Sequence, residues 1–204
     1  MKLSISKTFG LLLATIVHTA TATNLWLTAA TIPDNIDGLF YTGREFAAYR
    51  LSPSLRVYTS TNGTVWTAHD STLTPLSIGH DGHGTYYALT RTELAYSGDQ
   101  YSYTAHLWRS TNAVAWQETG EPITYMNILP ASAAFCGGDS NLLVKVYTIF
   151  GNGSWTGFAP APLFVVDRTN PSDFSKDSST NSIENIQWTG TRYVAVMNEQ
   201  MAAS

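Results

Sequence analysis

The chain has 204 residues, 44% of them hydrophobic, 12% aromatic and only 13% charged, with a formal net charge of −4. That is enough apolar material for a sizeable core and about half the usual share of charge, which excludes a disordered tail, a coiled coil and a basic nucleic-acid binder. What remains is a neutral-surfaced globular protein whose Trp, Tyr, Thr and Ser favour strands over helices.

The first element in chain order is a targeting segment. Lys2 and Lys7 precede the apolar run Phe9 to Val17, and Ala20-Thr21-Ala22 supplies a small-x-small cleavage site. This order is that of a secretory signal peptide, and the run is too short for a membrane span. Cleavage is expected after Ala22, which makes residues 1–22 a signal peptide and 23–204 a single domain. Loss of Lys2 and Lys7 leaves 9 basic against 15 acidic residues. Such a surface disfavours nucleic acid and anionic membranes. The expected location is extracellular, or periplasmic in a Gram-negative bacterium. Cys136 is the single cysteine, so no intrachain disulfide can form. Its apolar flank, Ala133-Ala134-Phe135, favours a small buried residue over a reactive thiol.

The mature chain repeats itself. Thr59-Ser60-Thr61-Asn62-Gly63-Thr64-Val65-Trp66 returns as Arg109-Ser110-Thr111-Asn112-Ala113-Val114-Ala115-Trp116, and in degenerate form as Asp167-Arg168-Thr169-Asn170-Pro171-Ser172-Asp173-Phe174. A second motif precedes each copy: Gly43-Arg44-Glu45-Phe46, Gly84-Thr85-Tyr86-Tyr87 and a weaker Ser132 to Gly137, with a last member at Gly190-Thr191-Arg192-Tyr193. In the first repeat, strands are expected at 39–41, 46–49, 55–60 and 65–68, with Asn62-Gly63 as a two-residue hairpin turn. A four-stranded antiparallel unit repeated along the chain is the pattern of a β-propeller blade. The expected fold is therefore all-β, with about three and a half blades. Blade 1 runs from Ile36 to Thr72, blade 2 from Pro75 to Glu121 and blade 3 from Ile123 to Ser179, and a fourth begins at Ser182. The cut falls inside a motif at Ser204, so a fragment of a longer protein is expected. Two copies completing a ring, or Asn24 to Ala29 acting as a closing strand, are the alternatives, and open blade edges invite self-association.

Ser60-Thr61-Asn62-Gly63-Thr64-Val65-Trp66 resembles the Asp-box hairpin of sialidase-type propellers. Asn62, Asn112 and Asn170 stand where that family carries Asp, and the turn is one residue shorter. The resemblance covers the mature chain as a repeat pattern and implies fold more than activity. A sialidase-like site implies a Tyr nucleophile and three Arg residues gripping the substrate carboxylate. No such Arg set can be assembled from this sequence.

Candidate chemistry lies in the connections between second and third strands. These are short in blade 1 (Arg50 to Ser54) and long in blade 2 (Arg91 to Ser102) and blade 3 (Gly138 to Pro162). Long insertions on one face of a repeat fold mark a binding face. Arg50 and Arg91 open two of these loops, and Tyr96, Asp99, Tyr101 and Trp155 lie within the insertions. Exposed aromatics beside carboxylates and guanidinium groups suit sugar stacking and hydrogen bonding. These six residues are the expected ligand site, for a glycan or an extracellular protein. The alternative is a sialidase-like, exo-acting glycoside hydrolase. No catalytic residue, cofactor or metal site is assigned. His80-Asp81-Gly82-His83 has two imidazoles and a carboxylate, but its Asp-Gly reads as a solvated turn and a zinc site needs a third or fourth ligand. Asn62 and Asn152 head N-glycosylation sequons, which are otherwise Asn-Gly turns.

Overall fold

The computed structural model describes residues 32, 35–97, 100–151, 156–159, 163–170, 174–177, 183–189 and 191–197. The expected signal segment 1–22, the strand expected at Asn24 to Ala29, Asp99 and Trp155 lie outside the described residues. Among the described residues every regular element is a strand. No helix there is long and apolar enough to cross a membrane.

Among the described residues, fifteen strands form four antiparallel sheets. In the first sheet β1 (Gly38–Tyr41), β2 (Phe46–Arg50), β3 (Arg56–Ser60) and β4 (Thr67–Asp70) pair in chain order. The second repeats this with β5 (Ser77–His80), β6 (Tyr86–Ser97), β7 (Gln100–Ser110) and β8 (Gln117–Met126). The third joins β9 (Leu129–Gly137), β10 (Asn141–Gly151), β12 (Leu163–Asp167) and β13 (Phe174–Asp177), while β11 (Thr156–Ala159) pairs the far half of β10. The fourth pairs β14 (Ile183–Trp188) with β15 (Tyr193–Met197).

The sheets pack face to face because strand side chains alternate direction. Tyr86 and Ile78 point to a core shared with Ala47 and Val57 of the first sheet. Tyr87 and Leu89 of β6 point the other way, to Leu142, Val144, Val146, Phe164 and Val166 of the third sheet. Leu143 and Leu163 of that sheet, with Cys136, meet Ile186 of the fourth. Three cores thus lie between four sheets. Each fully buried Val or Leu stabilises the stack by about 1.5–3 kcal/mol. Cys136 is buried and burial pushes its thiol pKa up, as its apolar flank led us to expect.

First strands also lie beside one another, in the order β1, β5, β9 and β14. The turn after each closes with the same N–H···O bond: Thr42 to Glu45 at 2.9 Å, Asp81 to Thr85 at 3.0 Å, Gly138 to Asn141 at 2.8 Å and Thr189 to Arg192 at 3.0 Å. Successive turns touch. Gly43 has φ +90°, and a Cβ there would sit 2.6 Å from the Gly82 carbonyl oxygen. A Cβ on Gly137 would run into the Asp81 backbone. Tyr193 Oη donates to the Asn141 carbonyl at 2.6 Å.

Four expectations change. Asn62-Gly63 is not a two-residue turn, because the ladder stops at Thr59↔Thr67 and Ser60–Trp66 forms a wider loop. Asn62 Oδ1 accepts the Thr64 and Val65 amides at 2.9 and 3.0 Å, so side-chain capping replaces cross-strand pairing. Asn112 repeats this with Val114 and Ala115 at 3.0 and 2.9 Å, and Ala113 (φ 58°) takes the left-handed position of Gly63 (φ 72°). Next, residues 91–102 are mostly not a loop, since the β6–β7 ladder runs on to Ser97↔Gln100. In the third sheet Phe135 belongs to the first strand, and β10 occupies what was expected to be the start of an insertion from Gly138 to Pro162. Finally, the His80 to His83 turn is solvated only in part: Gly82 and His83 are exposed, but Asp81 is 2% exposed.

Candidate functional site

The second sheet differs from the first in length. β5 pairs β6 only as far as Leu89, whereas β6 and β7 continue as a long hairpin. Its register brings Tyr96 opposite Tyr101 and Glu93 opposite Tyr103, and β8 adds Tyr125 opposite Tyr103. Of the expected ligand residues, Arg91, Tyr96 and Tyr101 therefore share one hairpin, as strand rather than loop residues. Arg50 ends β2 in a different sheet. Arg91 is held in place: its Nη1 donates to the Pro130 carbonyl at 2.7 Å, and the guanidinium lies 5.8 Å from the centre of the Tyr103 ring. That geometry fits a cation–π contact and ties the hairpin to β9.

Polar ladders stiffen the opposite face of this hairpin. Trp108 Nε1 donates to Thr90 Oγ1 at 2.8 Å. His106 contacts Thr92 Oγ1 through Nε2 at 3.0 Å and Glu118 Oε1 through Nδ1 at 2.6 Å. Sequence reasoning missed this set because its members are 14 and 12 positions apart and meet only through the register.

The turn between β5 and β6 holds the charged centre of the fold. Asp81 Oδ1 accepts the amides of His83 (2.8 Å) and Thr85 (3.0 Å), and Oδ2 accepts Arg168 Nε at 3.0 Å. Arg168 Nη1 also donates to the carbonyls of Gly138 and Asp139, at 2.9 and 2.7 Å. Arg168 stands where the other two hairpin copies carry Ser60 and Ser110. The degenerate third copy thus exchanges a local cap for an inter-sheet ion pair. Asp167 takes over the local role, accepting the Thr169 amide at 2.7 Å. Burial, then the nearby Asp81 charge, pushes the Tyr87 hydroxyl up to about 12.

The His80 ring is 2% exposed and packs edge-on to Tyr86 at 4.7 Å. Its Nδ1 accepts the Gly82 amide at 2.8 Å, so that nitrogen carries no proton. Burial lowers the ring's pKa to about 4. Among the described residues no group of His, Cys, Asp and Glu is placed to hold a metal. The apolar cavity between the second and third sheets, lined by Leu89, Ile123, Val144 and Phe164, is about 10 Å³. That is room for about one water, so this cavity takes no larger ligand.

No protein-family model, no curated protein and no solved structure matches the chain.

Proposed function

We propose that the chain is a secreted propeller-type scaffold that recognises an extracellular glycan through the β6–β7 hairpin. The outgrowth of that hairpin beyond β5, with Tyr96 opposite Tyr101 in its register, carries the reading. A tyrosine combines a flat apolar ring with a polar tip, the chemistry on which a sugar ring stacks. Two further features support the scaffold half of the proposal. The first two sheets repeat one strand order, the turn after each first strand closes with a backbone hydrogen bond, and the first strands form a row. The acidic surface and signal-like leader support secretion.

Glycan-array binding of the purified full chain, repeated with Tyr101→Ala and Trp155→Ala, tests this. Binding by the parent and at least about a 5-fold loss in Tyr101→Ala are expected, from one stacking contact. Absence of glycan binding refutes the ligand class, and unchanged binding by both variants refutes the site. Capture of a surface protein instead would redirect the same hairpin to a protein partner. Release of the fluorophore from a sialoside would favour the hydrolase alternative.

A further inference from the structure

Three strands of the second sheet bring a hydroxyl, an imidazole and a carboxylate into one hydrogen-bonded line. Thr92 Oγ1 lies 3.0 Å from His106 Nε2, and His106 Nδ1 lies 2.6 Å from Glu118 Oε1. An ionised carboxylate only accepts hydrogen bonds. The proton between Nδ1 and Glu118 therefore sits on Nδ1. In the neutral ring Nε2 is then an acceptor, and the Thr92 hydroxyl must donate to it. This is the order nucleophilic catalysis requires: a hydroxyl on a base, and the base oriented by a third group.

Two more observations separate the line from an ordinary surface ladder. The β7–β8 register shifts between Ala105 and Leu107, leaving Gly120, with φ 73°, and its neighbours opposite His106. Bulges re-aim side chains and are over-represented beside active sites. The first sheet also carries a hydroxyl–imidazole pair, Thr59 and His69 at 3.1 Å, with no carboxylate behind the ring among the described residues. The line is open to solvent: Thr92 is exposed, and the side chains of His106 and Glu118 are 19% and 38% exposed. Trp108 lies directly across from Glu118 in the ladder and supplies an aromatic neighbour.

We propose that Thr92, His106 and Glu118 form an acyl-transfer site for esters bearing an aromatic group. Thr92 Oγ1 attacks the ester carbonyl carbon while its proton passes to His106 Nε2. The bond from that carbon to the leaving oxygen breaks, and the leaving oxygen takes the proton from Nε2, so alcohol departs and Thr92 is acylated. Water then gives a proton to the same nitrogen and bonds to the acyl carbon. The Thr92 ester bond breaks, Oγ1 recovers the proton, and a carboxylic acid leaves. One water is consumed per ester. Glu118 is a positioning residue that holds the tautomer.

The test is incubation of the full chain with 4-nitrophenyl acetate, following nitrophenolate release and mapping the acid-quenched acetyl adduct by peptide mass spectrometry. An adduct on Thr92 and none on Thr59 is expected. Release falls about 100-fold or more in Thr92→Val and His106→Gln, the usual scale for a general base. It falls at least about 10-fold in Glu118→Gln, with unchanged far-ultraviolet circular dichroism. Thr92→Ser keeps the hydroxyl and retains both release and adduct, which decides the matter even where Thr92→Val does not fold. Absence of an adduct on Thr92 in the parent, equal labelling of Thr59, or parental rates in His106→Gln overturns the proposal.

Discussion

Replacing Arg168 by Met tests what joins the second and third sheets. The substitution keeps an unbranched apolar stem and removes the guanidinium. Asp81 retains the His83 and Thr85 amides on Oδ1, but Oδ2 loses the Arg168 Nε donor at 3.0 Å while the side chain stays 1% exposed. Breaking a buried pair by deleting one member costs about 3–5 kcal/mol, because the other charge is left uncompensated. Arg168 is 17% exposed, so some water reaches the gap and the lower end, about 3 kcal/mol, is expected. Domains of this length lose about 2–4 °C of Tm per kcal/mol, so Tm should fall by roughly 6–12 °C. Urea unfolding followed by tryptophan fluorescence gives the free energy directly. The double variant Asp81→Asn/Arg168→Met should be no less stable than Arg168→Met alone, giving a coupling of about 2 kcal/mol. A loss below about 1 kcal/mol in the single variant, or strictly additive losses in the cycle, would refute the reasoning.

Three shorter expectations accompany it. His80 is neutral in the fold with a pKa near 4, against about 6.5 unfolded, so the unfolded chain binds a proton first as pH falls. The stability from the neutral ring is whole above about pH 6.5 and drains away towards pH 4. It amounts to about 3 kcal/mol, and His80→Phe should flatten that limb of the urea midpoint against pH. Gly137→Ala drives a methyl into the Asp81 backbone and should cost about 3 kcal/mol or more, measured by thermal melting. Asn112→Ala removes the acceptor for the Val114 and Ala115 amides and should cost about 1 kcal/mol, as for loss of a helix cap, read as a shift in urea midpoint.

Short-range patterns were the legible part of this fold. The second strand, expected at 46–49, is observed at Phe46–Arg50, and the last hairpin begins its second strand at Tyr193 as expected. Both follow from a Gly-bearing turn leading into an aromatic. That rule misframed the third sheet, where the aromatic Phe135 lies one strand early and β10 opens on Asn141-Leu142 instead. The long β6–β7 hairpin had a signal that was passed over, since the dipeptide Gly98-Asp99 between strand-forming runs is a hairpin signal in the sequence. The Asp81–Arg168 pair spans 87 positions, and no local pattern announces a contact of that range. Of the expected ligand residues, Arg91, Tyr96 and Tyr101 come together on one hairpin, and Arg50 stands apart on another sheet. Thr92, His106 and Glu118 were invisible because ladder register, not spacing, assembles them.

The row of first-strand turns gives the molecule a closed end and an open one. At the closed end, Gly43 abuts the Gly82 carbonyl and Gly137 abuts the Asp81 backbone, and a Cβ on Gly43 or Gly137 has no room. At the other end β6 and β7 outgrow β5 while the turn at Asp81 keeps the repeated geometry. Length can therefore be added beyond the Arg91–Pro130 contact without touching the turns that hold the sheets in order. New recognition surfaces can be tried at one end of the stack while the other keeps the architecture constant.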